Sequence, residues 1–426
     1  MTNIISIVTP SGSGKSTCGY CGPPGGRSAT KSSFKTSLTP SQLSCEVYQK
    51  MIDRGWRRSG SYCYKPDLKR SCCPQYTIKL DALDFKPSKS QRKLINRWNR
   101  FVFHGDGNDS SMDVDGKPKP KEGKGKKSDS KGHHPFSLID AIHESEARFA
   151  TGEPVHQFEV TLEPSSYTEE KFALFTNYQE SIHHDDDNEP SGFKRFLVDS
   201  PLYRERIPYP STPPSHLPDN YGAYHQLYRL DGELIAMGVV DILPGCVSSV
   251  YFMYDKRWEK FSLGRLSALR EVSLALELHQ AGASDLRSLY MGFYIYSCPK
   301  MRYKGDYAPS YLADPEDYTW HPLETCVPLL EKYRYACFSH PEHSLEGAPR
   351  DVSYRVSDVA SADLRDIRLI TNIRNGIIHV TPINASTNWY YNRPVVLSVV
   401  DALGLTLAKE VLWYIQEDGF DDDEYE

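Results

Sequence analysis

Two pairs of cysteines have the types and spacing for metal chemistry: Cys18 and Cys21 in "CGYC", and the adjacent Cys72 and Cys73 in "SCCPQYTI". Two intervening residues let one turn present two thiolates to a tetrahedral ion, and four thiolates in two pairs hold Zn²⁺ or an iron-sulfur cluster. The spacing does not choose between those metals, and reduced, unligated thiols are the plainer alternative. Six of the ten cysteines fall between Cys18 and Cys73 of a 426-residue chain. That clustering favours metal or redox chemistry over a disulfide framework. Cys45 and Cys63, the other two of the six, read as small buried residues.

A second chemistry is suggested just upstream, where "SGSGKST" ends in Gly14, Lys15 and Ser16 like a phosphate-binding loop. That loop requires glycine where Thr9 stands, and a helix opening at the lysine. Here the lysine is followed by "STCGYCGPPGG", whose glycines and prolines break a helix. Without that helix there is no anion site at its N-terminus. The stretch is expected to be a mobile lead-in to the cysteines, and no role for ATP is expected.

The length admits about two or three domains with a sizeable core. A net charge of −6 excludes a protein coated in positive charge, so a nucleic-acid site must be a local patch. No apolar run approaches the ~18 residues of a membrane span, and Met1 to Pro10 lacks a basic region ahead of an apolar core. A cytoplasmic protein, with nuclear residence also open and no membrane partner, is the expectation. The run "NDSSMDVDGKPKPKEGKGKKSDSKGHH" at 108–134 is too poor in apolar residues to offset its ordering entropy. It divides the chain into a cysteine-rich domain (1–103), a flexible linker (104–135), a larger domain (136–416) and an acidic tail (417–426).

Around the cysteines, Pro40 and Ser41 mark the start of a helix over Ser41 to Arg54, and a basic helix is expected over Lys89 to Phe103. Past the linker come a strand at Gln157 to Leu162, a helix near Thr168 to Gln179, and a hairpin over 223–243 turning at Asp231-Gly232. A strand at 247–255 follows, then a helix from Ser262 to Gln280 with Leu263, Leu266, Leu269, Val272 and Leu276 on one face, and a strand at 286–296. The order β-β-α-β implies a mixed sheet with a helix on one face, an α+β protein.

Between the cysteine pairs lies "YQKMIDRGWRRSGSYCYKP". With "CGYC" and "CCPQYTI" it resembles the N-terminal domain of the arginyl-tRNA-protein transferases. The resemblance continues through "FLVDSPL" (196–202), the block 224–255, "LGRLSALREV" (263–272) and "MGFYIYSCPKMRYKGDYAPSYL" (291–312). It implies transfer of arginine from arginyl-tRNA to the α-amine of proteins beginning with Asp or Glu, or with oxidised Cys, marking them for N-degron-dependent, ubiquitin-mediated degradation. It implies a C-terminal lobe similar to the acyl-coenzyme-A-dependent N-acetyltransferase (GNAT) fold; a monomer is the expectation. Cys18, Cys21, Cys72 and Cys73 match cysteines that the family associates with zinc or an iron-sulfur cluster.

An aminoacyl ester is already activated, so such an enzyme must position a neutral amine, accept its proton and hold an oxyanion. Catalytic candidates are Asp241, Glu271 and His225; the two carboxylates also suit a pocket for the arginyl guanidinium. Their plainer readings are an edge-of-sheet aspartate, a solvated helix glutamate and a satisfied core histidine. A basic pocket for the acidic N-terminal residue would draw on Arg57, Arg58, Lys300, Arg302 and Lys304, the last three alternating so as to share one face, with Tyr290 and Tyr294 beside them. For the tRNA acceptor end, Ser262 and Gly264 would orient amides to a phosphate and Tyr303 would stack; the helix from Lys89 offers cations. Surface solvation is the plainer reading of each lysine and arginine. Two competing functions are an acetyl-coenzyme-A-dependent N-acetyltransferase on the same fold and a non-enzymatic zinc-binding adaptor for acidic N-termini.

Overall fold

The computed structural model describes residues 4–23, 26–106, 136–348, 359–386 and 389–415. The expected linker from residue 107 onward and the acidic tail lie outside the described residues. In chain order the elements begin with β1 (Ile7–Ser16), β2 (Ser33–Gln42), α1 (Cys45–Asp53), β3 (Arg57–Ser59), β4 (Tyr62–Pro66), β5 (Tyr76–Asp81) and α2 (Lys89–His104). Next come α3 (Leu138–His143), β6 (Phe158–Pro164), α4 (Glu169–Tyr178), α5 (Pro190–Phe193), β7 (Glu205–Arg206), β8 (Asn220–Leu230), β9 (Glu233–Ile242), β10 (Cys246–Tyr254), α6 (Leu263–Gln280) and β11 (Ser288–Tyr294). The remainder is α7 (Pro299–Arg302), β12 (Ser310–Ala313), β13 (Trp320–Pro322), α8 (Leu323–Lys332), α9 (Ser361–Leu364), β14 (Arg368–Arg374), β15 (Ile377–Pro382), α10 (Trp389–Leu403), α11 (Leu405–Glu410) and β16 (Leu412–Trp413).

These strands build two mixed sheets, giving an α+β fold. One has the order β15-β14-β16-β1-β2-β4-β3; the other runs β13-β12-β5-β11-β10-β9-β8-β6, with β7 on β8. Each sheet takes strands from both sides of the expected linker. β5 lies antiparallel between β11 and β12, and its Tyr76, Ile78 and Leu80 are buried as a central strand requires. β16 runs parallel to β1, so the last described strand is stitched to the first.

Local sequence explains most elements and corrects two expectations. The hairpin turns at Asp231-Gly232, both at positive φ, as expected for a two-residue turn matching strand twist. α1 starts at Cys45 rather than Ser41, because Ser44 is the N-cap and accepts from the Val47 amide. Pro40 and Ser41 instead end β2. The "SGSGKST" stretch is not a mobile lead-in: Gly12 to Ser16 pair with Ser33 to Ser37 as part of β1. Gly12 takes positive φ at the register shift, which lets a Gly/Ser-rich sequence bend and stay paired.

α2 opens with a capping box between Ser88 and Gln91. It buries Ile95, Trp98, Phe101 and Val102 and leaves Lys93, Arg97 and Arg100 exposed. α6 buries the expected Leu263, Leu266, Leu269 and Val272, and also Ser267, Arg270, Glu271 and Ser273. It is covered on several sides because it packs on β10 and β11 and also meets α2 and α3.

Candidate functional site

The four predicted cysteines converge. The thiols of Cys18, Cys21, Cys72 and Cys73 all lie within 4.8 Å of one another, and the Sγ atoms of Cys21 and Cys72 are 3.5 Å apart. Backbone contacts hold the two loops: the Ser28 amide donates to the Cys18 carbonyl and the Cys72 amide to the Ser32 carbonyl. The Ser32 hydroxyl donates to the Cys72 sulfur at 3.2 Å. Arg334 donates to the carbonyls of Lys69 and Ser71 and so braces the second loop.

Desolvation, then neighbouring thiols, push Cys21 up to about 11, and burial pushes Cys73 up as well. Burial acts the same way on Cys18, but hydrogen bonds from the Tyr20 amide and from Cys72 outweigh it and leave that thiol below its ordinary value. Crowded thiols that resist ionising together fit a site completed by a cation, which deprotonates its thiol ligands. The donor set is that of zinc or an iron-sulfur cluster. What sequence reasoning missed is the neighbour: Cys18 and Cys73 pack against Ile295 and Cys298, with Met301 alongside. The thiol group therefore buttresses the segment that leaves β11.

That segment borders an opening in the larger sheet. β10 and β11 pair in parallel only from Cys246–Ser248 to Ser288–Tyr290 and then part. A register shift between Ser249 and Tyr251 bends β10 against β9 at the same level. Near this parting lies the head of α6, where Ser262 takes a left-handed conformation as N-cap. Between α2 and the α6 head is a cavity of about 620 Å³. Lys93, Arg97, Ser262, Arg265, Tyr303 and Tyr307 are among its lining residues. It thus joins two predicted residues, Ser262 and Tyr303, to the basic face of α2. Gly264 sits in the first turn of α6, where an added Cβ would come 3.7 Å from the Phe252 ring.

Glu271 is a buried carboxyl at 1% exposure, not a solvated helix charge. The Ser249 hydroxyl donates to its Oε1 at 3.3 Å. Burial raises its pKa to about 8, with only a small opposing effect from Ser249. It also raises the pKa of Tyr303 and Tyr307 electrostatically, after the larger effect of burial. The carboxyl therefore lies within electrostatic reach of two tyrosines lining the cavity.

Other predicted residues are occupied elsewhere. Arg58 meets Asp241 through two bonds, Nε to Oδ2 at 2.8 Å and NH2 to Oδ1 at 2.5 Å, in a fully buried pair. Arg57 is buried and donates to the carbonyls of Ile52, Trp56 and Gly292. These three side chains brace the junction of the sheets instead of lining an open pocket. His225 accepts from Lys171 at Nδ1 and donates from Nε2 to the Leu197 carbonyl, the satisfied core histidine of the plainer reading. Burial lowers its pKa to about 4, so it stays neutral.

Lys300, Arg302 and Lys304 do not alternate along a strand, because Pro299 opens the short helix α7. Lys300 and Arg302 are exposed, with Arg302 over the Tyr296 ring. Lys304 turns inward, donating to the Phe293 carbonyl at 2.7 Å. Burial, then Arg57, lower its pKa to about 7. Tyr290 donates to Asp53 at 2.6 Å, and Tyr294 is buried. Arg265 and Ser249 were not legible as site residues; the only sequence signal for Arg265 is its place one residue after Gly264 at a helix start.

Fold and site together define an α+β protein with a four-thiol metal-type site against a parted sheet and a basic cavity at the head of a long helix. The family models "Arginine-tRNA-protein transferase, N terminus" and "C terminus" match residues 16–93 and 170–314. Arginyl-tRNA-protein transferase 1 of Drosophila melanogaster is 33% identical over 430 residues, covering 78% of this chain and 85% of that protein. The aspartate/glutamate leucyltransferase of Stutzerimonas stutzeri is 27% identical, covering 64% of this chain and 82% of that protein. A solved C-terminal domain (DUF2156) of a lysylphosphatidylglycerol synthetase from Agrobacterium fabrum, so described with its assignment unproven, aligns at a TM-score of 0.24 and 10% identity, covering 60% of this chain and 53% of that one. That likeness is too slight to carry an argument. The chain belongs to the arginyl-tRNA-protein transferase family, a family of aminoacyltransferases. Among the described residues, no helix is long and apolar enough to cross a membrane.

Proposed function

We propose that this chain transfers arginine from arginyl-tRNA to the α-amine of proteins beginning with Asp or Glu. The observation that carries the reading is the basic cavity at the α6 head, set beside the parting of β10 and β11. The acceptor end of the tRNA enters that cavity, its phosphates drawn by Lys93, Arg97 and Arg265 and its terminal base stacked on Tyr303. Strand, parting, helix and strand in this order are the arrangement expected of a GNAT-like lobe, with a tRNA end where such folds hold a cofactor.

The incoming amine attacks the ester carbonyl and its proton passes to Glu271, whose pKa of about 8 matches an α-amine near ~8; the ester C–O bond then breaks and the tRNA's terminal ribose oxygen leaves as a hydroxyl, taking up that proton. Lys304, which donates to the Phe293 carbonyl beside the parting, regains full charge on meeting a carboxylate and reads the acidic side chain. The name of the leucyltransferase relative, with its reference to aspartate and glutamate, supports an acidic acceptor. Zinc or an iron-sulfur cluster at Cys18, Cys21, Cys72 and Cys73 would fix the segment that carries Lys304.

The test is to incubate purified protein with radiolabelled arginyl-tRNA and peptides beginning with Asp, Glu or Ala, without ATP or acetyl-coenzyme A. Label entering the acidic peptides alone supports the reading. Equal labelling of the Ala peptide removes the acidic specificity. Acetylation without arginyl transfer, once acetyl-coenzyme A is supplied, leaves only the fold.

A further inference from the structure

A second group of ligating side chains lies away from the thiols, where α3, the segment before β8 and the second half of α6 meet. His143 Nε2 is 3.0 Å and His216 Nε2 is 2.6 Å from the same oxygen, Oε2 of Glu277. One donor atom from each residue lies within 4.8 Å of the others, and His143 is buried. The imidazole rings are 5.5 Å apart and nearly perpendicular, so neither blocks the other's approach to a shared centre.

The outer partners are those that metal ligands require. His143 Nδ1 faces Glu146 Oε1 at 2.9 Å, which orients the ring so that Nε2, turned toward Glu277, is the nitrogen that would ligate. Glu277 Oε1 accepts from the Ser273 hydroxyl at 2.8 Å, leaving Oε2 for the centre. Arg270 pairs with Glu146 and balances the charge of that outer carboxylate. Two imidazoles and one carboxylate, each oriented from behind, form the three-ligand set that binds zinc with one position open. On its outer side the group borders a cavity of about 370 Å³ whose lining includes Phe149 and Thr151.

We propose that His143, His216 and Glu277 form a second divalent transition-metal site, of zinc type and independent of the four cysteines. The ion ties α3 and the segment bearing His216 to α6, and a water completes its coordination from the cavity side.

The probe is Co²⁺ added to the metal-stripped, reduced full chain, read by absorbance and by metal content after equilibrium dialysis. Thiolate ligation gives intense near-ultraviolet charge transfer, whereas imidazole and carboxylate ligation gives visible d-d bands alone. The wild-type chain is expected to take up two ions, and His216→Ala to lose one ion while keeping the thiolate band at full height. Glu277→Gln should do the same, and a chain with Cys21→Ser and Cys72→Ser should keep the d-d bands as the thiolate band falls. One ion per chain in the wild type, all of it accounted for by the thiolate band, overturns the proposal. So does unchanged uptake in His216→Ala, a position with 21% side-chain exposure whose circular dichroism melt reports whether the variant is folded.

Discussion

Arg58 and Asp241 lie 183 residues apart in sequence and meet as a two-bond ion pair from which solvent is excluded. The pair joins β3 of the smaller sheet to β9 of the larger. Arg58 also donates to the Gly60 carbonyl. Gly60 has positive φ, and an added Cβ would lie 1.8 Å from the Arg195 carbonyl oxygen, so the motif's glycine is required by close backbone approach.

Removing one partner strands the other charge in the interior. Arg58→Met and Asp241→Asn should each destabilise by about 3–5 kcal/mol, whereas the double variant should recover much of that loss. Urea unfolding of the three variants checks this. If Arg58 instead read substrate, Arg58→Met would raise KM for the acidic peptide without lowering the midpoint.

This pair also shows where sequence reading stops. Asp241 was legible as a candidate carboxylate and Arg58 as one of a basic pair, but nothing local says that they face each other. The thiol group was legible because a two-residue spacing encodes half of it within one turn. The hairpin at Asp231-Gly232 was legible because turn chemistry is local. Glu271 was legible as a candidate carboxylate but its burial was not, because a helix sequence shows its own apolar stripe but not α2, α3 and a sheet closing over its other sides. β1 was missed because Gly and Ser read as loop, and only the register with β2 makes them strand.

The packing of Ile295, Cys298 and Met301 around the thiols would make a metal held there a brace for the segment after β11. Cys72→Ser should lower metal content and speed amide exchange across 295–304 while β8 and β9 stay protected. Hydrogen exchange with mass spectrometry reads both regions in one experiment. Equal protection of 295–304 with and without metal would detach the thiol site from that segment.

Lys93 and Arg97 face the cavity from the exposed side of α2, Arg97 with its guanidinium over the Phe261 ring. Lys93→Glu with Arg97→Glu should raise KM for arginyl-tRNA by tenfold or more, on the order of 1.4 kcal/mol, with kcat nearly unchanged. Each lost phosphate contact should also reduce the slope of log KM against log salt by about 0.7–0.9. A large fall in kcat at unchanged KM would place those residues outside tRNA binding.

The pH dependence of Glu271 separates a catalytic carboxyl from a merely buried one. Burial lifts its pKa from 4.5 to about 8, so between those values the folded chain holds a proton that the unfolded chain has released. Its contribution to stability is therefore complete below pH 4.5 and is lost as pH rises through about 8. Glu271→Gln, neutral throughout, should flatten that decline in unfolding free energy, whether or not the residue is catalytic. The rate tells the two roles apart. If Glu271 accepts the proton, log(kcat/KM) in the wild type rises with a slope approaching about two below pH 8, one unit from the amine and one from the carboxyl. In Glu271→Gln the slope falls to about one, and the rate drops by roughly 10²–10⁴-fold. An unchanged slope in a folded variant would make Glu271 a structural acid rather than the base.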